Sequence, residues 1–219
     1  MPIANGFLSR DQFASEEFFE LSVGFDPESK MVQLVERVDE RKMFHENYAS
    51  FSSTSSRMQA HFKDFAGLIS DKYLKGAQDP FIVEIGSNDG ILLKHFAGKN
   101  RRHLGIEPSA NVAQKAREIG INTWSEFFNE DLAEKILKEY GPADAFLGAN
   151  VMCHIPYPHS VFGGVRRLLK PKGVFVFEDP YLGDIIEKVS YDQIYDEHIF
   201  YFSVASVSYL ADKNGLEVF

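Results

Sequence analysis

The chain has 219 residues, 44% of them hydrophobic and 25% charged, which suits a soluble globular protein with one full α/β domain and an appendage. Its formal net charge of −9 argues against a general nucleic-acid binder, because phosphate backbones attract basic surfaces. No apolar run approaches the roughly 20 residues of a membrane span, and no signal-peptide pattern opens the chain. A cytoplasmic protein without membrane attachment is therefore expected.

Taken in chain order, residues 1–55 lack a sustained period and read as an irregular N-terminal segment. Within it, 2–8 looks extended or turn-like, 25–30 a turn and 31–35 a short strand. From Ser56 the spacing of Met58, Phe62, Phe65 and Ile69 predicts a helix, with Ser53, Ser55 or Ser56 as its N-cap. Beyond Pro80, strands are expected at 81–85, 103–107, 143–149 and 173–178, with a weaker one at 122–124. Helices are expected near 90–97, 109–119, 129–140, 159–169 and 204–214. The last of these should end on a left-handed Gly215, and 216–219 should begin another strand. This alternation predicts a mostly parallel twisted sheet with helices on both faces, a Rossmann-like α/β domain over 56–219.

The most informative segment is Glu84-Ile85-Gly86-Ser87-Asn88-Asp89-Gly90, which follows a buried-strand run and opens a helix. Its two glycines permit tight turning and close approach of a ligand to the main chain. The spacing is not the G-x-G-x-x-G of a pyrophosphate cradle, which disfavours a nicotinamide dinucleotide. It suits S-adenosylmethionine, which carries no phosphate and whose amino-acid end wants a carboxylate partner such as Glu84 or Asp89, along with backbone contacts. Gly86, Asn88 and Gly90 complete the turn. Glu107, before Pro108, stands about 21 residues beyond Gly86, near the spacing of a ribose-binding acid. Glu126 and Phe127 follow the third strand, where an acid and an aromatic can meet an adenine; one of Phe127 and Phe128 is expected to be plain core.

Ligands of an open parallel sheet sit beyond the carboxyl ends of its strands, so Asn150 to His154 should face the methyl donor. Methylating carbon requires removal of a proton, for which a His or Tyr is suited. Two candidates, His154 and His198, are expected at one rim.

Across nearly its whole length the sequence resembles the C-methyltransferases that act on nucleotide-linked 4-keto-deoxysugars. The resemblance rests on 2–8, Met31-Val32-Gln33-Leu34, Met43-Phe44-His45-Glu46-Asn47-Tyr48, Ser52-Ser53-Thr54-Ser55-Ser56, Glu84–Gly90, Cys153-His154-Ile155-Pro156-Tyr157, 175–181 and 191–203. It implies a methyl transfer to the carbon beside the sugar ketone, with His198 as the base, Tyr195, Glu197 and His154 around the sugar and enolate, and Tyr48 closing over the reacting centre. Members of this family open with a zinc domain holding two cysteine pairs. Here Asp26 and Ser29 stand at the second pair's positions and Cys153 is the single cysteine, so residues 1–55 resemble a remnant of that domain and no zinc is expected. The resemblance also implies a C-terminal domain that is missing here and a final antiparallel strand pair of which 216–219 would begin only the first, so truncation at both ends is expected, with an open sheet edge suited to self-association. Two alternatives accompany this reading: a methyltransferase acting on another small molecule, and a non-catalytic cofactor- or partner-binding remnant.

Overall fold

A computed structural model describes residues 1–4, 7–45 and 48–219. Asn5, Gly6, Glu46 and Asn47 of the resemblance motifs lie outside the described residues. In chain order the elements are β1 (Val23–Asp26), β2 (Met31–Leu34), α1 (Glu40–Met43), α2 (Ser56–Lys72), β3 (Phe81–Ile85), α3 (Lys94–Ala97), β4 (Arg102–Ile106) and α4 (Ala110–Glu118). There follow β5 (Thr123–Trp124), α5 (Glu130–Tyr140), β6 (Ala143–Ala149), α6 (Pro158–Leu168), β7 (Leu169–Glu178), α7 (Leu182–Lys188), β8 (Phe200–Tyr201) and α8 (Val204–Lys213). They fall into two units, one of residues 45–149 and 163–177, the other of 1–44, 150–162 and 178–219.

The first unit is built on a five-stranded sheet of order β5-β4-β3-β6-β7. β3 runs parallel to β4 and β6, and β4 parallel to β5. All five residues of β3 are buried, which is why it reads as an apolar run interrupted only by Glu84. The chain leaves β3 toward β4 and β5, then returns to place β6 on its other side. That reversal makes the carboxyl end of β3 the switch point of the sheet, the place where ligands of such sheets bind. Phe62, Ala66 and Ile69 of α2 recur at helical spacing and pack with Ile82, Ala145, Leu147, Leu92 and Phe96. Ser55 caps α2 by accepting the Met58 N–H at 3.3 Å, and Asn129 caps α5 through Leu132 at 2.8 Å.

In the second unit, β1 and β2 form an antiparallel pair from Val23↔Leu34 to Asp26↔Met31, and β2 pairs with β8 through Val32↔Tyr201 and Gln33↔Phe200. Leu34, Ile185 and Tyr201 form its buried centre. In the β1–β2 turn the Asp26 carboxylate accepts the N–H groups of Glu28 (3.2 Å) and Ser29 (3.0 Å), and Lys30 takes φ 59°. The two positions without cysteine thus hold the turn by hydrogen bonding. α8 opens on a Ser203/Ser206 capping box. As expected, Gly215 is left-handed (φ 69°), and the Leu216 N–H closes the helix on the Ala211 carbonyl at 2.9 Å.

Several local expectations are corrected. Within residues 1–55, β2 stands at the expected 31–35 strand, and β1 is a further strand that was not expected. Only 94–97 of the expected 90–97 helix is α-helical, because His95 and Phe96 bond three residues back to Leu92 and Leu93 and tighten the start. β7 begins at Leu169, directly after α6, rather than at Gly173. Residues 216–219 belong to no strand among the described residues, and Phe219 is 82% exposed. α7 and β8 were not anticipated; seven and two residues are too few to show a period.

Candidate cofactor turn and acid–base cluster

The turn after β3 is held by the neighbouring strand. The N–H groups of Gly86 and Ser87 both donate to the Ile106 carbonyl, at 2.8 and 3.3 Å. Gly90 (φ 81°) has no room for a side chain, since a Cβ there would stand 2.8 Å from Ile121 Cγ1. Glu107 at the end of β4 ties the two strand ends together: its Oε2 accepts the Asn88 N–H at 3.0 Å and its Oε1 the Ser109 N–H at 2.8 Å. Burial raises its carboxyl above the usual range, against the pull of those N–H groups. Glu84 is only 2% exposed and is held well above the usual carboxylate range by burial first, then by the charges of Glu107 and Asp89.

A segment from the chain before α2 lies over this turn. Asn88 Oδ1 accepts the Ser52 N–H at 2.9 Å and its Nδ2 donates to the Ser50 carbonyl at 3.2 Å. Asp89 Oδ2 accepts the Ser53 N–H at 3.0 Å, and Asn111 Nδ2 donates to the Tyr48 carbonyl at 2.9 Å. Sequence reasoning offered Asn88 to the cofactor; the structure commits its amide to this strap. Asn111, missed from sequence, belongs to the same site, and its place one residue into α4 was the available signal.

Buried polar atoms of native proteins have partners, so exceptions are informative. Among the described residues Glu84 Oε2, Ser87 Oγ, Asp89 Oδ1 and Asn111 Oδ1 are buried with none. They surround the turn, and they offer acceptors suited to an ammonium group and hydroxyls. Beyond the two N–H groups that it accepts, the Glu107 carboxylate keeps acceptor capacity for a ribose. This donor set fits the amino-acid and ribose parts of S-adenosylmethionine. Further along, Pro108 is half-buried between Glu107 and Ser109, Glu126 is exposed and Phe127 half-buried. Phe128 is core, with its ring 4.8 Å from that of Phe146.

The second unit holds a separate cluster. Asn150, exposed at φ 52°, donates its N–H to the Glu178 carbonyl at 2.7 Å. Cys153 and His154 follow in a single 3-10 turn. The Ile199 N–H donates to the Cys153 carbonyl at 2.8 Å, which docks the 191–203 motif against that turn. The His154 and His198 rings meet edge to face at 5.0 Å. His154 Nδ1 donates to the Glu197 carbonyl at 2.8 Å and His198 Nδ1 to the Gln193 carbonyl at 2.9 Å. The Tyr195 hydroxyl donates to His198 Nε2 at 3.0 Å. Both rings are kept neutral chiefly by burial, with the His154 pKa pushed down to about 4. Burial raises the Tyr195 phenol, helped by Glu197. Asp196 anchors the N-terminal segment by accepting the Ala4 N–H at 3.1 Å.

The expected pair of histidines is therefore brought together, along with Tyr195 and Glu197. Asp179, part of the 175–181 motif but given no role from sequence, accepts the Cys153 N–H through Oδ1 at 3.4 Å, and burial pushes its carboxyl up to about 6. Tyr48 is half-buried and belongs to the strap over the glycine turn.

The methyltransferase domain family matches residues 56–219. The C-methyltransferase NovU of Streptomyces niveus is 31% identical over 219 residues, which are 99% of this chain and 51% of that protein. An uncharacterised methyltransferase of Schizosaccharomyces pombe, C70.08c, is 30% identical over 116 residues, 49% of this chain and 43% of its own. The chain thus spans about half the length of the curated relatives it matches. Among solved structures, a SAM-dependent methyltransferase from Archaeoglobus fulgidus superposes with a TM-score of 0.57 at 14% identity, covering 73% of this chain and 67% of that one. The plantazolicin methyltransferase BpumL in complex with SAH gives 0.56 at 16% identity, covering 71% and 63%.

Proposed function

Because the chain belongs to the S-adenosylmethionine-dependent methyltransferases, we propose that it takes part in methylating the carbon next to the ketone of a nucleotide-linked 4-keto-deoxysugar. One observation carries this reading: a buried imidazole whose Nδ1 is fixed on the Gln193 carbonyl and whose Nε2 lone pair faces the Tyr195 hydroxyl. That is the tautomer a base needs at neutral pH. The bound cofactor supplies an electrophilic methyl group. His198 Nε2 accepts the proton from the carbon beside the ketone. The Tyr195 hydroxyl, released from Nε2, donates to the oxygen on which negative charge develops. His154 and Glu197 line the sugar, and Glu84, Asp89 and Glu107 hold the amino-acid and ribose parts of the cofactor. Tyr48, which the resemblance assigns to the reacting centre, is carried on the strap over the glycine turn.

The 31% identity to a C-methyltransferase supports carbon as the methylated atom. The test is His198→Ala, read by calorimetry with S-adenosylmethionine and by mass spectrometry of a thymidine-diphosphate 4-keto-deoxysugar incubated with the protein. Cofactor affinity should hold while the product one methyl heavier disappears. Equal loss of both would make His198 structural. A wild-type chain that binds the cofactor but methylates no keto-sugar would favour a cofactor-binding remnant.

A further inference from the structure

The 153–154 turn and the 191–203 motif create an arrangement that proton transfer does not require. Cys153, His154 and His198 each present a donor atom, and the three atoms lie within 4.8 Å of one another. A tetrahedral ion with bonds of about 2.0–2.3 Å needs ligands about 3.3–3.8 Å apart, so small side-chain adjustments suffice. Both imidazoles are held as metal-bound histidines are, each giving its Nδ1–H to a backbone carbonyl, Glu197 for His154 and Gln193 for His198, and His198 keeps its Nε2 lone pair. Beside the thiol stands the Asp179 carboxylate, which accepts the Cys153 N–H through Oδ1 at 3.4 Å and accepts a hydrogen bond from the thiol itself. It supplies negative charge where a cation would sit.

We infer that Cys153, His154 and His198 form a binding site for a borderline-soft divalent cation such as zinc or cobalt(II), with one coordination position left open. One thiolate and two imidazoles match that class of ion and disfavour calcium and magnesium, which take oxygen ligands. The site differs from a four-cysteine structural centre, which this chain lacks the residues to build. His198 Nε2 cannot hold the ion and accept from Tyr195 together, so metal binding displaces the Tyr195 hydroxyl from its 3.0 Å contact. A loaded site therefore has no lone pair for proton abstraction, and metal inhibits the reaction. The inhibition rests on the reading of His198 as base; the site itself does not.

Cobalt(II) titrated into the metal-free protein tests this, read by absorbance. The expected result is saturation at one ion per chain, with a near-ultraviolet thiolate-to-cobalt band and the strong visible bands of four-coordination. Cys153→Ser should abolish the thiolate band and weaken binding by about tenfold or more, and zinc should displace the cobalt. An unchanged near-ultraviolet circular dichroism spectrum and urea midpoint check that the variant folds. If it does not fold, His154→Gln replaces it, with the same loss of affinity expected. No saturable binding by the wild-type chain, visible bands without a thiolate band, or affinity unchanged in the folded variant would each overturn the site. None of those outcomes would alter the His198→Ala result on which the proposed function depends.

Discussion

Gly105→Ala isolates the packing that shapes the cofactor turn. Gly105 lies in β4 with ordinary extended backbone, so the substitution brings no backbone strain and its whole cost is steric. A Cβ there would stand 2.4 Å from Ser87 Oγ, 2.9 Å from Ser87 Cβ and 3.1 Å from Leu93 Cδ1. Rotating the hydroxyl relieves the first contact but not the second, because Cβ moves only with the backbone. Ser87 is fully buried, and its N–H and that of Gly86 are fastened to the Ile106 carbonyl. The turn itself must therefore shift, at about 1–3 kcal/mol, the usual range for overpacking. For a chain of this size each kcal/mol lowers Tm by about 2–4 °C. Displacement of Ser87 and Asn88 should also weaken S-adenosylmethionine by about tenfold, equivalent to about 1.4 kcal/mol. Urea denaturation gives the first quantity and calorimetry the second. Ser87→Gly removes both clashing atoms, so the double variant should recover much of the loss, with a coupling of about 0.5–3 kcal/mol. A Gly105→Ala protein that melts and binds like the wild type would refute the reasoning, as would a second substitution that merely adds to the first.

Glu84→Gln should stabilise the cofactor-free protein at neutral pH and weaken S-adenosylmethionine. The folded pKa of Glu84 is raised, so the folded state holds a proton that the unfolded chain releases above about 4.3. Its contribution is therefore fully present at low pH and is lost as pH rises toward the folded value. Urea midpoints measured between about pH 4 and 8 should show the advantage of the variant shrinking on acidification. An advantage independent of pH, or none, would sink this account. At the foot of the sheet, Asp144 Oδ2 accepts the buried Phe81 N–H at 2.8 Å and pairs with Lys170 at 2.7 Å. Asp144→Ala should cost about 1–3 kcal/mol by orphaning that N–H. Asp144→Asn keeps an acceptor and loses only a partly exposed ion pair, so it should cost less than about 1 kcal/mol. Equal losses in urea denaturation would mean the charge matters more than the hydrogen bond.

What the sequence determined by itself is local. A buried-strand run, two glycines and a following helix specify the Glu84–Gly90 turn because each feature acts within a few residues of chain. Glu107 was legible for the same reason, since a strand end at fixed spacing places one side chain. The Gly215 terminus and a serine cap among Ser53, Ser55 and Ser56 follow from short-range hydrogen bonds. Tertiary structure decided what depends on distant segments meeting. Asn88 gives its amide to the 50–52 strap, 36 residues away in sequence from Ser52, so its type alone could not say whether it faced a ligand. Phe128 rather than Phe127 is core because the fold brings it against Phe146. Asp179 joins Cys153 across 26 residues, and His198 meets His154 across 44, through the Cys153–Ile199 backbone bond. The sequence held both histidines in view, but it gave no sign that a thiol and a buried carboxylate share their cluster, because that proximity is created by chain reversal and not by spacing.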